Sequence, residues 1–262
     1  MLNRINIKLS LDPEDVESLR RLPWHKPLME WKKRDARFRE VKSGLSRHVV
    51  RFIEVKKKTF AIKETSAEIA EKEFQSYLQL LRFGIPTLEP VGTVVRDEGL
   101  VATPTSLGPQ VETKATGYLV TRLLEYAIPD SYLFKRGFSR ENRRKIWDAV
   151  VRLFVQLHCK GIYWGDASLA NMMILFAKEK IPEIGYRTIL RAVLADAETV
   201  EFQPSLSEKL RRADVDYFLE SMLWTEADLQ ASGMTRDALM TKADQEYILN
   251  RYLDLYDVER EE

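Results

Sequence analysis

The chain reads as an α+β protein in which an antiparallel sheet comes first and helices follow, and three observations predict it. Between Phe38 and Lys63 the apolar positions recur every second residue, as strands require. Two more runs of strand character, Val91 to Val95 and Tyr118 to Leu124, come after a single helical stretch. Beyond Pro129 the period lengthens to three and four over most of the remaining chain.

Taken in order, residues 3–9 alternate as a short strand does, and Asp12 before Pro13 caps a helix with proline in its first helical position. Val16, Leu19 and Leu22 mark the apolar side of that helix, and a second short helix carries Leu28 and Trp31. The charged run from Lys32 to Glu40 is a solvated face. Three antiparallel strands follow: Phe38 to Lys42, Arg47 to Glu54 and Thr59 to Lys63, joined by turns at Ser43 to Ser46 and at Lys56-Lys57. Thr65 and Glu68 form a capping box for a helix from about Ser66 to Arg82, which Gly84 and Pro86 end. The polar segment Asp97 to Thr116 is expected to be a mobile loop. Ser139 caps the next helix, on which Ile146, Trp147, Val150, Phe154, Leu157 and His158 recur at helical spacing. Short strands are expected at Met172 to Phe176, Ala192 to Ala195 and Thr199 to Phe202, the first two separated by an insertion containing Lys178, Lys180 and Pro182. A capping box at Ser205 and Glu208 opens the last helical stretch, with breaks near Trp224, Ser232-Gly233 and Thr241. The organisation implied is an N-terminal extension over residues 1–37, a sheet region over 38–125 and a mainly helical region over 126–262.

A length of 262 residues suits one domain or two lobes with a sizeable core. Apolar content of 45%, charged content of 31% and a net charge of +1 give no reason to invoke nucleic acid or an acidic membrane surface. The single cysteine, Cys159, has no partner for an internal disulfide and reads as a buried structural thiol in an apolar helix. No apolar run approaches a transmembrane span, and the N-terminus lacks a signal-peptide core, so the expected location is cytoplasmic.

The chemistry concentrates between Leu157 and Asn171, where a helix turns through Gly161 and presents Asp166 and Asn171 with four residues between them. Phosphoryl transfer uses such a pair: the carboxylate orients and deprotonates an attacking hydroxyl, and the amide oxygen helps hold a metal. Lys63 ends the third strand, and Glu73 on the following helix is placed to hold it. Glu71 and Glu68 compete for that role; Glu73 is preferred because it adjoins Phe74 and Tyr77, whereas Glu68 is assigned to the cap. A further carboxylate, Asp196, follows an apolar strand one hairpin beyond Asn171. Asn171 and Asp196 offer oxygen ligands, the type Mg²⁺ demands.

Lys63, Glu73, Asp166 to Asn171 and Asp196 fall in chain order on matching elements, and in this the chain resembles the protein-kinase-like superfamily. It is more similar to the small bacterial branch around lipopolysaccharide (Kdo) kinases and aminoglycoside phosphotransferases, through Gly44 to His48, Trp164 to Asn171 and Asp196 to Thr199. The resemblance covers about Phe38 to Tyr217. It implies a two-lobed fold binding ATP between the lobes, with Asp166 as catalytic base, Asn171 and Asp196 as Mg²⁺ ligands, Lys63 on the phosphates and Glu73 as its partner. It further implies that the Gly44 turn covers the phosphates, helped by Ser46, Arg47 or His48. Backbone groups from Leu123 to Glu125 would meet adenine, and Ala61 and Met173 would sandwich the ring. Gly165 stands where regulated protein kinases carry arginine, Ser168 where they usually carry lysine, and Glu198 where the last glycine of the metal loop stands. A sugar, glycolipid or other small hydroxyl acceptor is therefore expected ahead of a protein substrate. A catalytically silent nucleotide-binding scaffold, acting through a protein partner, and a nucleotidyl transferase on the same fold are the alternatives.

Overall fold

The structure is a computed structural model, and it describes residues 5–9, 13–41, 48–105, 108–129, 140–181, 185–231 and 241–261. The expected turn at 43–46, the caps Asp12 and Ser139 and the break at 232–233 lie outside them. The chain forms two compact units: residues 1–41, 46–78 and 88–123 in the first, 42–45, 79–87 and 124–262 in the second.

In the first unit five antiparallel strands are ordered β1-β4-β5-β3-β2. They are β1 (Ile5–Leu9), β2 (Val49–Val55), β3 (Lys58–Ser66), β4 (Pro90–Thr105) and β5 (Gly108–Arg122). The turn between β2 and β3 puts both Lys56 and Lys57 at positive φ, 46° and 69°, the pair of dihedrals that matches the twist of a two-residue hairpin. One sheet face is covered by the N-terminal segment. Leu19 of α1 (Pro13–Arg20), Trp24, Leu28 and Trp31 are buried against Ile53, Phe60, Ile62, Val94, Tyr118 and Val120. The Trp24 indole donates to the Leu19 carbonyl, and the Tyr118 hydroxyl donates to that of Lys26. These bonds give the large side chains polar partners inside the core. The strand residues facing the other way include Lys63, towards α2 (Ala67–Arg82).

The second unit has a three-stranded sheet ordered β6-β8-β9, made of β6 (Ala127–Pro129), β8 (Met172–Ile181) and β9 (Gly185–Leu194). A two-stranded ladder pairs β7 (Ile162–Tyr163) with β10 (Glu201–Phe202). Three helices complete it: α3 (Arg140–Cys159), α4 (Glu208–Ala231) and α5 (Lys242–Glu261). Trp147 and Phe154 of α3, Trp164 and Phe218 of α4 are fully buried and meet edge-on or tilted, with ring centroids 5.6–6.3 Å apart. Among the described residues no helix is long and apolar enough to cross a membrane.

Several expectations are corrected. Residues 38–41 do not form a strand: Phe38 makes one isolated bridge to Ile53, flanked by the bonds from Arg39 N to the Phe52 carbonyl and from Glu54 N to the Arg37 carbonyl, and Lys42 lies outside the described residues. Residues 97–105 and 108–116 are not a loop but the continuation of β4 and β5, paired out to Thr105 and Gly108. Their sequence carries Val101, Thr103, Val111 and Thr113, whose β-branching favours strands despite the polar composition. The insertion around Lys178 is likewise the outer part of the β8–β9 hairpin. Ser66, not Thr65, caps α2, accepting from the Ile69 amide at 3.2 Å, and Ser207, not Ser205, caps α4 through the Leu210 amide at 3.3 Å. Helix α4 runs unbroken through Trp224, whose ring packs on Tyr217 about two turns earlier. Thr199 lies before the strand expected to contain it, and β10 is Glu201–Phe202 alone. Cys159 is exposed at the end of α3 rather than buried; partial desolvation and Glu259 nonetheless hold its thiol above the ordinary range.

Candidate functional site

In the first unit β3 carries Lys63 between Val50 and Leu119 in the sheet ladder, and its Nζ donates to Glu73 Oε2 at 2.9 Å. The lysine side chain is 13% exposed and the glutamate 1%. Glu71, the competing carboxylate, is occupied elsewhere: it accepts from Thr93 Oγ1 at 3.0 Å and from Gln75, and faces Lys8 of β1 at 3.6 Å. Burial pulls the Glu71 carboxyl upward, but these hydrogen bonds and Lys8 outweigh it and hold it below the ordinary value. Ala61 is half-buried on the same strand, paired with Phe52 and Thr121. The Leu123 amide is already bonded to the Thr59 carbonyl at 2.9 Å, which leaves its own carbonyl as the backbone group it can offer a ligand.

In the second unit the loop between β7 and β8 carries Asp166 and Asn171. It has little regular structure, so its amides must find side-chain or loop partners. Trp164 N and Gly165 N each donate at 2.8 Å to one oxygen of Asp214, which is fully buried on α4. Asp166 N donates to Thr199 Oγ1 at 3.1 Å, and that hydroxyl donates onward to the Trp164 carbonyl at 2.7 Å. Leu169 N donates to Ser221 Oγ at 3.0 Å. Sequence reasoning missed Asp214, Thr199 and Ser221. The signal was the register of Asp214 and Ser221 with the buried Phe218 and Met222, which places a carboxylate and a hydroxyl on the inner face of α4.

Two hydrogen bonds gather the oxygen-bearing side chains of this loop. Asn171 Nδ2 donates to the Asp166 carbonyl at 3.0 Å, which leaves the amide oxygen as the acceptor end of the side chain. The Asn171 carbonyl accepts from Ala195 N at 2.8 Å, one residue before Asp196. Asp196 is fixed by its own backbone, with the Trp164 indole donating to its carbonyl at 3.1 Å and Glu198 N donating to its Oδ1 at 3.1 Å. An amide oxygen and a carboxylate so placed are hard donors that fit Mg²⁺. Met173 is half-buried on β8 and pairs with Val193 and Pro129. Glu125 is exposed in the turn before β6. Gly44, Ser46 and Arg47 lie outside the described residues.

An antiparallel sheet bearing a strand lysine and helix glutamate, followed by a helix, an Asp-to-Asn loop and a hairpin ending in aspartate, defines a protein-kinase-like fold. The chain is similar over 96% of its length, and over 89% of the other chain, to WaaP in complex with acyl carrier protein, with a TM-score of 0.55 and 16% identity. At that identity the likeness is one of fold. Weaker matches are the Rio2 kinase from Chaetomium thermophilum (TM-score 0.46, 16% identity, 85% of this chain and 75% of that one) and an aminoglycoside-3'-phosphotransferase of type VIII (TM-score 0.42, 13% identity, 94% and 100%). No family model and no curated protein matches the chain.

Proposed function

We propose that the chain is a phosphotransferase that moves the terminal phosphoryl group of ATP to a hydroxyl, the acceptor being a sugar, glycolipid or other small molecule. The observation that carries this reading is the tie of Asp166, Asn171 and the Asp196 strand end by the Asn171 Nδ2 to Asp166 and Ala195 to Asn171 hydrogen bonds. Asp166 orients the acceptor hydroxyl and takes its proton as the acceptor oxygen bonds to phosphorus and the bond to ADP breaks. Lys63, held by Glu73, meets the phosphates, with Ala61, Leu123, Glu125 and Met173 about the base and Gly44, Ser46 and Arg47 over the phosphates. Asn171 and Asp196 hold Mg²⁺, which when bound neutralises charge on the transferred group. Ser168 in place of a lysine supports a small acceptor over a protein.

The test is ADP release against a panel of hydroxyl acceptors, with the product weighed by mass spectrometry. Asp166→Asn lowers turnover about 10²- to 10⁴-fold, the usual contribution of a positioned acid or base, while leaving ATP binding intact. Unchanged turnover removes Asp166 from the chemistry, and a product carrying AMP instead of phosphate replaces kinase by nucleotidyl transferase. Calorimetry showing no Mg²⁺-dependent ATP binding, in wild type as in Asp196→Ala, rejects the reading altogether.

A further inference from the structure

His158 sits in the last turn of α3, 2% exposed. Its Nε2 lies 3.2 Å from Asp214 Oδ2, and its Nδ1 lies 2.7 Å from the phenol oxygen of Tyr252 on α5. Asp214 in turn accepts from Trp164 N and Gly165 N. A hydrogen-bonded path therefore runs from the C-terminal helix, through a buried imidazole and a buried carboxylate, to the residue before Asp166. We propose that Tyr252 is a positioning residue for this loop: its phenol donates to His158 Nδ1, so that the ring, with its proton on Nε2 against Asp214, has both nitrogens bonded and holds the carboxylate on the loop amides.

The chemistry of imidazole makes the carboxylate and the phenol act together: Asp214 accepts from Nε2, and the phenol supplies the donor that Nδ1 then needs. A neutral ring has one N–H donor and one acceptor nitrogen, and a neighbour that donates to one nitrogen sends the proton to the other. With the proton on Nε2 the ring donates to Asp214. The opposite tautomer points a lone pair at the carboxylate and pushes it off the amides. Tyr252 is a durable donor because burial, above all, drives its phenol far above the ordinary range, so it keeps its proton. The ring orientation does not depend on the hydroxyl. Tyr252 packs edge-on to His158 at 5.5 Å and stacks on Tyr256 at 5.8 Å, over which Arg211 of α4 lies at 4.0 Å. Tyr252→Phe thus removes one donor and keeps the packing. The positional claim concerns the loop itself and rests on the phosphotransferase reading only in calling that loop catalytic.

The experiment uses the full chain labelled with ¹⁵N. The ring nitrogen shifts of wild-type His158 are expected to show a neutral imidazole protonated at Nε2. In Tyr252→Phe the Asp214 carboxylate keeps the proton on Nε2, and the Nδ1 shift is expected to move towards that of an unbonded ring nitrogen as the ring loosens its hold on Asp214. Amide exchange at Trp164 and Gly165 should then quicken about fivefold to tenfold, the scale of one lost hydrogen bond. Exchange in β4 and β5 should stay unchanged, as should every readout in Tyr256→Phe. A proton on Nδ1 in the wild type, alone or with Nε2, overturns the proposal, as does Tyr252→Phe with unaltered exchange at Trp164 and Gly165. Should Tyr252→Phe not fold, the wild-type Nδ1 shift decides: that of a nitrogen receiving a hydrogen bond supports the proposal, and that of an unbonded one overturns it. None of these readouts requires turnover, so failure of the phosphotransferase reading is seen separately, in the acceptor panel.

Discussion

Replacing Asp214 by alanine tests whether a helix side chain holds the Asp166 loop. The carboxylate is fully buried and accepts from Trp164 N and Gly165 N at 2.8 Å and contacts His158 Nε2 at 3.2 Å. A buried donor left without an acceptor costs about 1–3 kcal/mol. Trp164 is fully buried, which puts its amide towards the upper end, while Gly165 is half-exposed, so water can partly satisfy its amide. Two such losses make about 3–4 kcal/mol, before any cavity left by the side chain, a large fraction of the roughly 5–15 kcal/mol that holds a domain folded. For a chain of this size each kcal/mol moves the melting point by about 2–4 °C, so the variant should melt about 6–16 °C below wild type. Urea unfolding followed by tryptophan fluorescence gives the free energy, and amide exchange gives its location. The loss should appear first at Trp164 and Gly165. A destabilisation under about 1 kcal/mol, or exchange that quickens evenly across the second unit, would refute the assignment of Asp214 as the anchor of the loop.

Gly161 and Gly84 separate backbone geometry from space: both have φ near +70°, but a Cβ at Gly161 meets the Gln203 carbonyl oxygen at 2.1 Å, whereas one at Gly84 meets nothing within 4 Å. Gly84→Ala should cost about 1 kcal/mol by thermal unfolding and Gly161→Ala at least twice that, since it also pushes β7 from β10. At the start of α5, Thr241 and Asp244 cap each other, with Thr241 N and Oγ1 donating to Asp244 Oδ2 at 2.9 and 2.7 Å. Burial pulls the Asp244 carboxyl upward, but the Thr241 bonds and Arg143 outweigh it and hold it below the ordinary value. Its stabilisation is therefore complete above the ordinary carboxylate range and lost as pH falls through the lowered folded value. The urea midpoint of Asp244→Asn should fall short of wild type at neutral pH and converge with it in acid; a constant gap would remove the charge from the cap. Lys63→Ala should weaken ATP more than adenosine in calorimetry if, as proposed, the lysine meets phosphates; equal losses would make the Glu73 pair purely structural.

What the sequence made legible was the placement of the candidate residues, each carried by its own neighbours. Asp166 and Asn171 are five positions apart, Lys63 closes a run of period two, and Asp196 follows an apolar strand, so each is readable within its own segment. The same holds for the sheet, except where polarity masked β-branching, as between Asp97 and Thr116. What stayed hidden depends on distant pairs. Asp214 stands between Arg211, Arg212 and Asp216 and reads as one more charge on a solvated helix; only its register with Phe218 and Met222 distinguishes it. Local caps slipped by a residue or two because Thr65 and Ser66, or Ser205 and Ser207, are chemically interchangeable until the first helical amide is located.

The two classes meet in the loop from Trp164 to Asn171. A segment too irregular to satisfy its own amides has to borrow acceptors, and it borrows them from Asp214, Thr199 and Ser221, 33 to 52 residues away. Each borrowed bond fixes the backbone on either side of Asp166, so the carboxylate is displayed from a rigid frame without belonging to a helix or strand. The residues proposed to react are thus set by local sequence. Their precision is set by α4 and, through His158, by α5, which is why changes on the C-terminal helix are expected to register at the loop.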